Sequence, residues 1–288
     1  MTIIKRKLPA WENLANNSTA SLDLPTGQSY HGIIIKLSAT GPGATFTRAH
    51  IPRVRMLING KAVIRDIPAS VLHRDNLFRG SRDDAAYLYL DFEEPRSKTL
   101  EDQYATVIHT ASGVNSFKLE MDIDGAVGTL KCDTWALTAS TGLPLGFIPA
   151  FIKEGVDALV TGVKEVKPAF RVGQNGAGHI IRCVHMFPSV SGSEVAPSTV
   201  FGSLGVTLRK SGIPVIDRLT DETNRFYQMH YEDVPITNAF TVDFVEDNNT
   251  STHLMTTADA EDFVWEIDIG SVCHIDFYYR LVTTLERV

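Results

Sequence analysis

Only 3 cysteines and 3 tryptophans occur in 288 residues. Cys132, Cys183 and Cys273 are far apart and odd in number, which excludes both a disulfide framework and a zinc cluster of closely spaced ligands. Each lies in an apolar run, as in Ile180-Ile181-Arg182-Cys183-Val184, so buried free thiols are expected. No stretch approaches the ~18 apolar residues of a membrane span. The opening MTIIKRKLPAWENLANNS has a basic cluster without the apolar run of a secretory signal. A soluble, reduced, non-secreted product is therefore expected. Positive charge is not in excess either: 27 Lys+Arg against 34 Asp+Glu give −7, and residues 147–288 hold 11 of the first and 19 of the second. Such a half repels phosphate, which excludes a nucleic-acid groove along the whole molecule; no sequence-specific nucleic-acid binding is expected.

Catalytic signatures are also missing. Gly173-Gln-Asn-Gly-Ala-Gly178 has its glycines in the wrong order for a dinucleotide fingerprint, and neither G-x-S-x-G nor H-E-x-x-H occurs. The nine histidines (His31, His50, His73, His109, His179, His185, His230, His253 and His274) are never two apart. No H-x-H pair can therefore present two imidazoles on one strand face, as metal enzymes of the two-domain cupin type require. No catalytic or cofactor-binding residue is assigned, and an enzyme is not expected.

Acidic positions give weaker signals. Glu120, Asp122 and Asp124 alternate with Leu119, Met121 and Ile123, and Glu266 and Asp268 repeat the pattern. Oxygen ligands grouped this way suit calcium, but equally a solvated or intersubunit face. Asp83-Asp84 and Glu246-Asp247-Asn248-Asn249 read as loop acids. Lys5-Arg6-Lys7 reads as a solvated mobile arm, or as a contact for lipid headgroups or a partner's acids. The sequons at Asn16 and Asn248 matter only in a secreted context.

What the chain does have is an internal repeat. Gly27-Gln28 and Ile34-Ile35-Lys36 recur as Gly173-Gln174 and Ile180-Ile181-Arg182, offset by 146. Val54, Met56, Gly60, Val63 and Ile64 recur as Val206, Leu208, Gly212, Val215 and Ile216, offset by 152, and Asp91-Phe92 recurs as Asp243-Phe244 at the same offset. Phe117, Glu120, Asp122 and Ile123 match Phe263, Glu266, Asp268 and Ile269, again at 146. Both copies are β-rich: Phe117–Ile123 and Val264–Ile269 alternate with period two. Asn59-Gly60 and Ser211-Gly212 sit between apolar runs as hairpin turns. A short helix is expected after each hairpin, opened by Pro68 in one copy and N-capped by Thr220 in the other.

Seven or eight short strands per copy predict an all-β protein of two antiparallel sandwiches in tandem, residues 1–141 and 169–288, each a jelly roll or an immunoglobulin-like fold; the helix inserted after each hairpin favours two jelly rolls. Between them, in residues 142–168, Ile148, Phe151, Ile152, Val156, Leu159 and Val160 fall on one helical face. An interdomain helix is expected there, as a connector or a membrane- or partner-binding element.

The order Leu24-Pro-Thr-Gly-Gln-Ser-Tyr-His-Gly-Ile, Val54-Arg-Met-Leu-Ile-Asn-Gly-Lys, Phe117-Lys-Leu-Glu-Met-Asp-Ile-Asp, Leu208-Arg-Lys-Ser-Gly, Phe240-Thr-Val-Asp-Phe and Val264-Trp-Glu-Ile-Asp-Ile resembles the major capsid proteins of corticoviruses, tailless phages with a membrane beneath the shell. The resemblance spans nearly the whole chain. It implies a double jelly roll whose homotrimer has a pseudo-hexagonal outline and tiles an icosahedral shell in the virion, made in the bacterial host cytoplasm. Implied partners are neighbouring capsid trimers, vertex (penton) and minor capsid proteins, and the internal viral membrane, which the Lys5-Arg6-Lys7 arm would face. Calcium is implied by relatives, without ligand residues. The alternative is a two-domain carbohydrate-binding adhesin, with Trp11, Trp135 or Trp265 stacking on sugars, although Trp135 and Trp265 read more readily as core.

Overall fold

The computed structural model describes residues 2–80, 84–94, 96–140, 142–170, 172–173, 178–231, 233–245 and 255–288. Gln174–Ala177, Asp83, the acids around Glu246 and His253 lie outside the described residues. The chain forms two compact units, residues 1–152 with 283–286 and 288, and residues 153–282 with 287.

The first unit contains β1 (Ile4–Lys7), β2 (Ser18–Asp23), β3 (Ser29–Thr45), β4 (Arg53–Ile58), β5 (Lys61–Ile67), α1 (Ala69–Phe78), β6 (Tyr87–Asp91), α2 (Leu100–Gln103), β7 (Ile108–His109), β8 (Phe117–Ile123), β9 (Val127–Ala139) and the start of β10 (Ile148–Ala158). One of its sheets runs β1-β9-β3-β6, with β7 also on β3; the other runs β2-β8-β4-β5. Phe151 of β10 lies parallel to β5, opposite Ile64. The second unit contains β11 (Gly162–Val166), β12 (Ile180–Val190), β13 (Ser193–Glu194), α3 (Pro197–Val200), β14 (Phe201–Lys210), β15 (Ile213–Leu219), α4 (Asp221–His230), β16 (Phe240–Asp243), β17 (Met255–Thr256), β18 (Phe263–Ile269) and β19 (Cys273–Thr283). Here β12 lies between β19 and a row formed by β16 and β17, and the facing sheet runs β11-β18-β14-β15. Each unit is a jelly-roll sandwich.

The duplication holds pair by pair. In the β4–β5 hairpin, Val54, Met56, Leu57 and Ile58 oppose Ile67, Ile64, Ala62 and Lys61. In β14–β15, Val206, Leu208, Arg209 and Lys210 oppose Leu219, Ile216, Pro214 and Ile213, every position displaced by 152, irregularities included. Asn59 and Gly60 have φ of 51° and 77°, Ser211 and Gly212 51° and 74°, the double left-handed turn that suits a two-residue hairpin. Even the left-handed Asp66 recurs as Arg218. On the other side of β4, Met121, Leu119 and Phe117 of β8 become Ile267, Trp265 and Phe263 of β18 at 146.

The repeat read at residues 27–36 is corrected from an offset of 146 to 151. The bulge of β3 lies between Tyr30 and Gly32, and that of β12 between Ile181 and Cys183. Phe92 N–H donates to the His31 carbonyl as Phe244 N–H donates to that of Arg182. Both bulge residues are buried basic side chains bonded to a carboxylate, His31 to Glu93 (2.5 Å) and Arg182 to Asp243. The Thr110 hydroxyl donates to the Gln28 carbonyl as that of Thr257 donates to His179.

The helix expected within residues 142–168 is also corrected: Ile148–Ala158 and Gly162–Val166 are strands. The same apolar residues satisfy a period of two as well as a helical one. From position 152 onward, even residues are the less exposed and odd ones face out. Pro149 supplies no N–H, Gly155 costs a helix about 1 kcal/mol relative to alanine, and Ile148, Ile152 and Val156 are β-branched. The two helices expected after the hairpins are present as α1 and α4. The Thr220 side chain accepts from Thr223 N–H, while Pro68 holds the N-cap position of α1 with φ −59°.

The core of the first unit includes Tyr30 edge-on to Phe117 at 5.1 Å, with Leu22, Ile33, Ile35 and Phe78. That of the second includes Trp265 edge-on to Phe263 at 6.0 Å, and Phe277 stacked on Tyr279. Burial pushes the Tyr30 hydroxyl up to about 12, against the opposing pull of its Gln28 hydrogen bond. Each such side chain contributes ~1.5–3 kcal/mol by leaving water.

Candidate assembly surfaces

On β8, Leu119, Met121 and Ile123 point inward, so Glu120 and Asp122 are held on the outer face of the β2-β8-β4-β5 sheet. Arg55 of β4 meets both, with Nε 3.3 Å from Glu120 and an Nη on Asp122, and it also reaches Asp66 at 3.4 Å. Thr19 donates to Asp122 (2.7 Å), and Lys118 lies 3.2 Å from Glu120. Asp124 lies past the strand's end. In the second unit Arg209 donates to Glu266 (2.6 Å), which holds its guanidinium pKa up, while Asp268 accepts from Leu204 N–H (2.9 Å). Glu120, Asp122 and Glu266 thus stand on outward ladders where arginines of the same sheet meet their charge, the pattern of a polar sandwich face.

The Lys5-Arg6-Lys7 segment is strand β1, antiparallel to β9, and so is corrected from a mobile arm. Lys7 donates to Asp133 (3.0 Å) and lies 5.7 Å over the Trp135 ring. With Lys131, it holds the Asp133 carboxyl below its ordinary value. The second unit repeats the device: Lys153 of β10 is 2.9 Å from Asp276 and 5.5 Å over Tyr278. Asp276 and Tyr278 are the counterparts of Asp133 and Trp135 at an offset of 143, the same offset as in the β3–β9 and β12–β19 registers. A pair Lys7/Lys153 was not legible, because β1 and β10 share no tripeptide.

The remaining candidates have local roles. The Asp84 carboxylate accepts from Ala86 N–H, forming a turn. Asn16 accepts from Ala126 N–H. Trp11 is buried and donates to Thr134, Trp265 is fully buried, and Trp135 lies beneath Lys7 rather than in the core. Cys183 and Cys273 are buried and Cys132 half-buried, none of them in a disulfide; burial, with Asp133 second, pushes the Cys132 thiol up to about 12. His50 is bonded by Thr47 N–H, His109 to Ser29 and His185 to Thr241. His185 also lies 3.6 Å from Cys183 on the same face of β12, a Cys-x-His pair that a search for H-x-H passes over.

Exposed apolar side chains are concentrated in the second unit. Ile213 and Val215 of β15, Phe226, Tyr227 and Met229 of α4, and Val163 of β11 are all open to solvent. The first unit differs at the matching elements: Val63 and Ile64 of β5 and Val71, Leu72 and Phe78 of α1 are buried. No helix among the described residues is long and apolar enough to cross a membrane.

No curated protein sequence matches the chain. Among solved structures, the major capsid protein P2 from bacteriophage PM2 superimposes with a TM-score of 0.83 at 19% identity, covering 98% of both chains. The Sulfolobus turreted icosahedral virus structure gives 0.66 at 10% identity, covering 98% of this chain and 91% of that one. The PBCV-1 virus capsid gives 0.61 at 9%, covering 98% and 94%. Two family models match in succession, the viral coat protein P2 N-terminal domain over residues 5–140 and the C-terminal domain over 156–285. The carbohydrate-binding alternative finds no support in these likenesses or in the three tryptophans. With nearly all of its length matched by the two halves of one coat protein, the chain belongs to the viral coat protein P2 family and is a major capsid protein of double jelly-roll fold.

Proposed function

We propose that three copies of this chain form a capsomer of pseudo-hexagonal outline, and that such capsomers tile an icosahedral shell over an internal membrane. The observation that carries this reading is the register repeated across the two units, at fixed offsets and with the same bulges. A chain made of two like sandwiches lets a threefold assembly present six similar blocks, so one gene product fits sixfold lattice positions. The apolar residues left open on the second unit favour burial against further copies, since a contiguous exposed apolar surface marks an interaction site. Obligate contacts of this kind bury more than ~2,000 Å².

The role read here is structural, in keeping with the coat-protein family. The family resemblance extends the partners to vertex and minor capsid proteins and to the membrane. Sedimentation or light scattering of the purified chain is expected to give a trimer that persists on dilution. A dilution-stable monomer that forms no capsomers by electron microscopy overturns the proposal.

A further inference from the structure

Two surfaces of this chain are open where their internal counterparts are covered, and they match each other. The first is the head of β10. Ile148, Pro149, Ala150 and Phe151 are all buried, and Phe151 runs parallel to β5 opposite Ile64. The corresponding residues of β1 follow from the lysines: Lys7 and Lys153 each bond the aspartate two positions before the aromatic ring they cover, which sets an offset of 146. Residues 2–5 are then the counterparts of 148–151, and all four are exposed, Ile4 at 56%.

The second surface is the edge of β15. Its counterpart β5 has β4 on one side and Phe151 on the other, and Val63 and Ile64 are buried. Among the described residues β15 has β14 as its sheet neighbour and ends the sheet; Val215, the counterpart of Val63, is 44% exposed, and Ile216, the counterpart of Ile64, is half-buried. A bare apolar strand edge is a template for another chain.

We propose that the head of β1 of one subunit adds in parallel to β15 of the next, Lys5 opposite Ile216 and Ile4 beside Val215, as Phe151 lies opposite Ile64 and Ala150 beside Val63. The inference rests on the trimer reading above and names its contact. Charge supports the same occupant: β1 presents Lys5 and Arg6, while the stretch from β15 into α4 carries Asp217, Asp221 and Glu222 against Arg218 and Arg225, the last bonded to Asp221 at 3.2 Å. The contact joins two different surfaces, so it is heterologous, and repeating it generates a closed ring when the rotation is a whole fraction of a turn.

Cysteine crosslinking tests it on the full chain. Residues directly opposite in a ladder have Cα atoms ~5 Å apart, within disulfide reach. The double variant K5C/I216C, oxidised and run without reductant, is expected to give covalent dimers and trimers. Either single variant, and K5C/V163C with its second cysteine on β11, are expected to give none. A wild-type trimer whose K5C/I216C variant forms no crosslink, or crosslinks no better than K5C/V163C, overturns this contact and leaves the trimer reading standing. A wild-type monomer overturns both. Ile4→Asp provides a second route, because its exposed side chain makes it safe for the fold. It is expected to shift the monomer–trimer equilibrium at least tenfold toward monomer, and an unchanged equilibrium also overturns the contact.

Discussion

The β5–α1 segment of the first unit and the β15–α4 segment of the second share a backbone, position for position, yet differ in what they bury. In α1, Val71, Leu72 and Phe78 enter the core; in α4 the buried residues are Asn224 and Gln228, and Phe226 and Met229 face out. One polar link survives on both sides: Asn76 donates to the Tyr89 carbonyl, and its counterpart Gln228 to that of Thr241. Backbone hydrogen bonding and turn geometry therefore suffice to keep the architecture after duplication. The side chains on one flank are free to change from core to contact surface.

Substitutions at paired positions separate the two roles. Trp265→Ala, at the counterpart of Leu119, is expected to cost about 3–5 kcal/mol, and Leu119→Ala about 2–5, because both leave cavities in closed cores. Urea unfolding followed by circular dichroism measures each. A cost near zero for either would mean that its sandwich is not close-packed there.

Next in size is the pair Val63 and Val215. Val63→Ala is expected to lose about 2 kcal/mol of folding stability, since it removes buried methyl groups. Val215→Ala should stay within about 0.5 kcal/mol for the isolated chain while weakening its self-association. Equal effects on folding would erase the contrast between the flanks. Smaller again is the helix start. Thr220→Ala removes the side-chain acceptor of Thr223 N–H and should cost about 1 kcal/mol, with Thr220→Asp restoring it. At Pro68, which makes no such bond, an aspartate has no lost cap to restore.

Much of the shared backbone, though not this contrast, is legible in the amino-acid sequence. Asn-Gly and Ser-Gly fix left-handed turns chemically, so the hairpins and the 152 offset were legible, as was the 146 offset of β8 and β18 from their alternation. Register failed at β12 for a physical reason. Residues 181–188 are buried on both faces, so no alternation marks which way each side chain points, and Ile180-Ile181-Arg182 imitates Ile34-Ile35-Lys36 five residues out of step. Strand β10 was misread because its apolar residues fit both periods, and burial of Ile148–Phe151 depends on β5, far away in sequence. The Lys–Asp–aromatic devices, and the exposure of α4 and β15, are properties of tertiary neighbours rather than of local pattern.

The smallest expected effect sits where the two devices differ by one residue. In the first unit Asp133 is met by Lys7 and by Lys131 at 2.9 Å; in the second, the place of Lys131 is taken by His274, bonded to Asp157 at 2.6 Å and to Asp276 at 3.3 Å. The Asp157 hydrogen bond raises the His274 pKa above 6.5, with Asp276 adding to it and partial burial opposing. A raised folded-state value means the protonated form is favoured by folding. The stabilisation is complete below about pH 6.5 and fades as pH climbs through the folded-state value. Both partners are largely in water, so the effect stays below about 1 kcal/mol. His274→Lys, which copies Lys131, should hold its charge across this range and flatten that part of the pH dependence of unfolding, whereas Lys131→His should introduce one in the first unit. Urea midpoints between pH 5.5 and pH 8.5 measure both, and identical pH slopes for wild type and His274→Lys would show that the Asp157 bond does not select the charged imidazole.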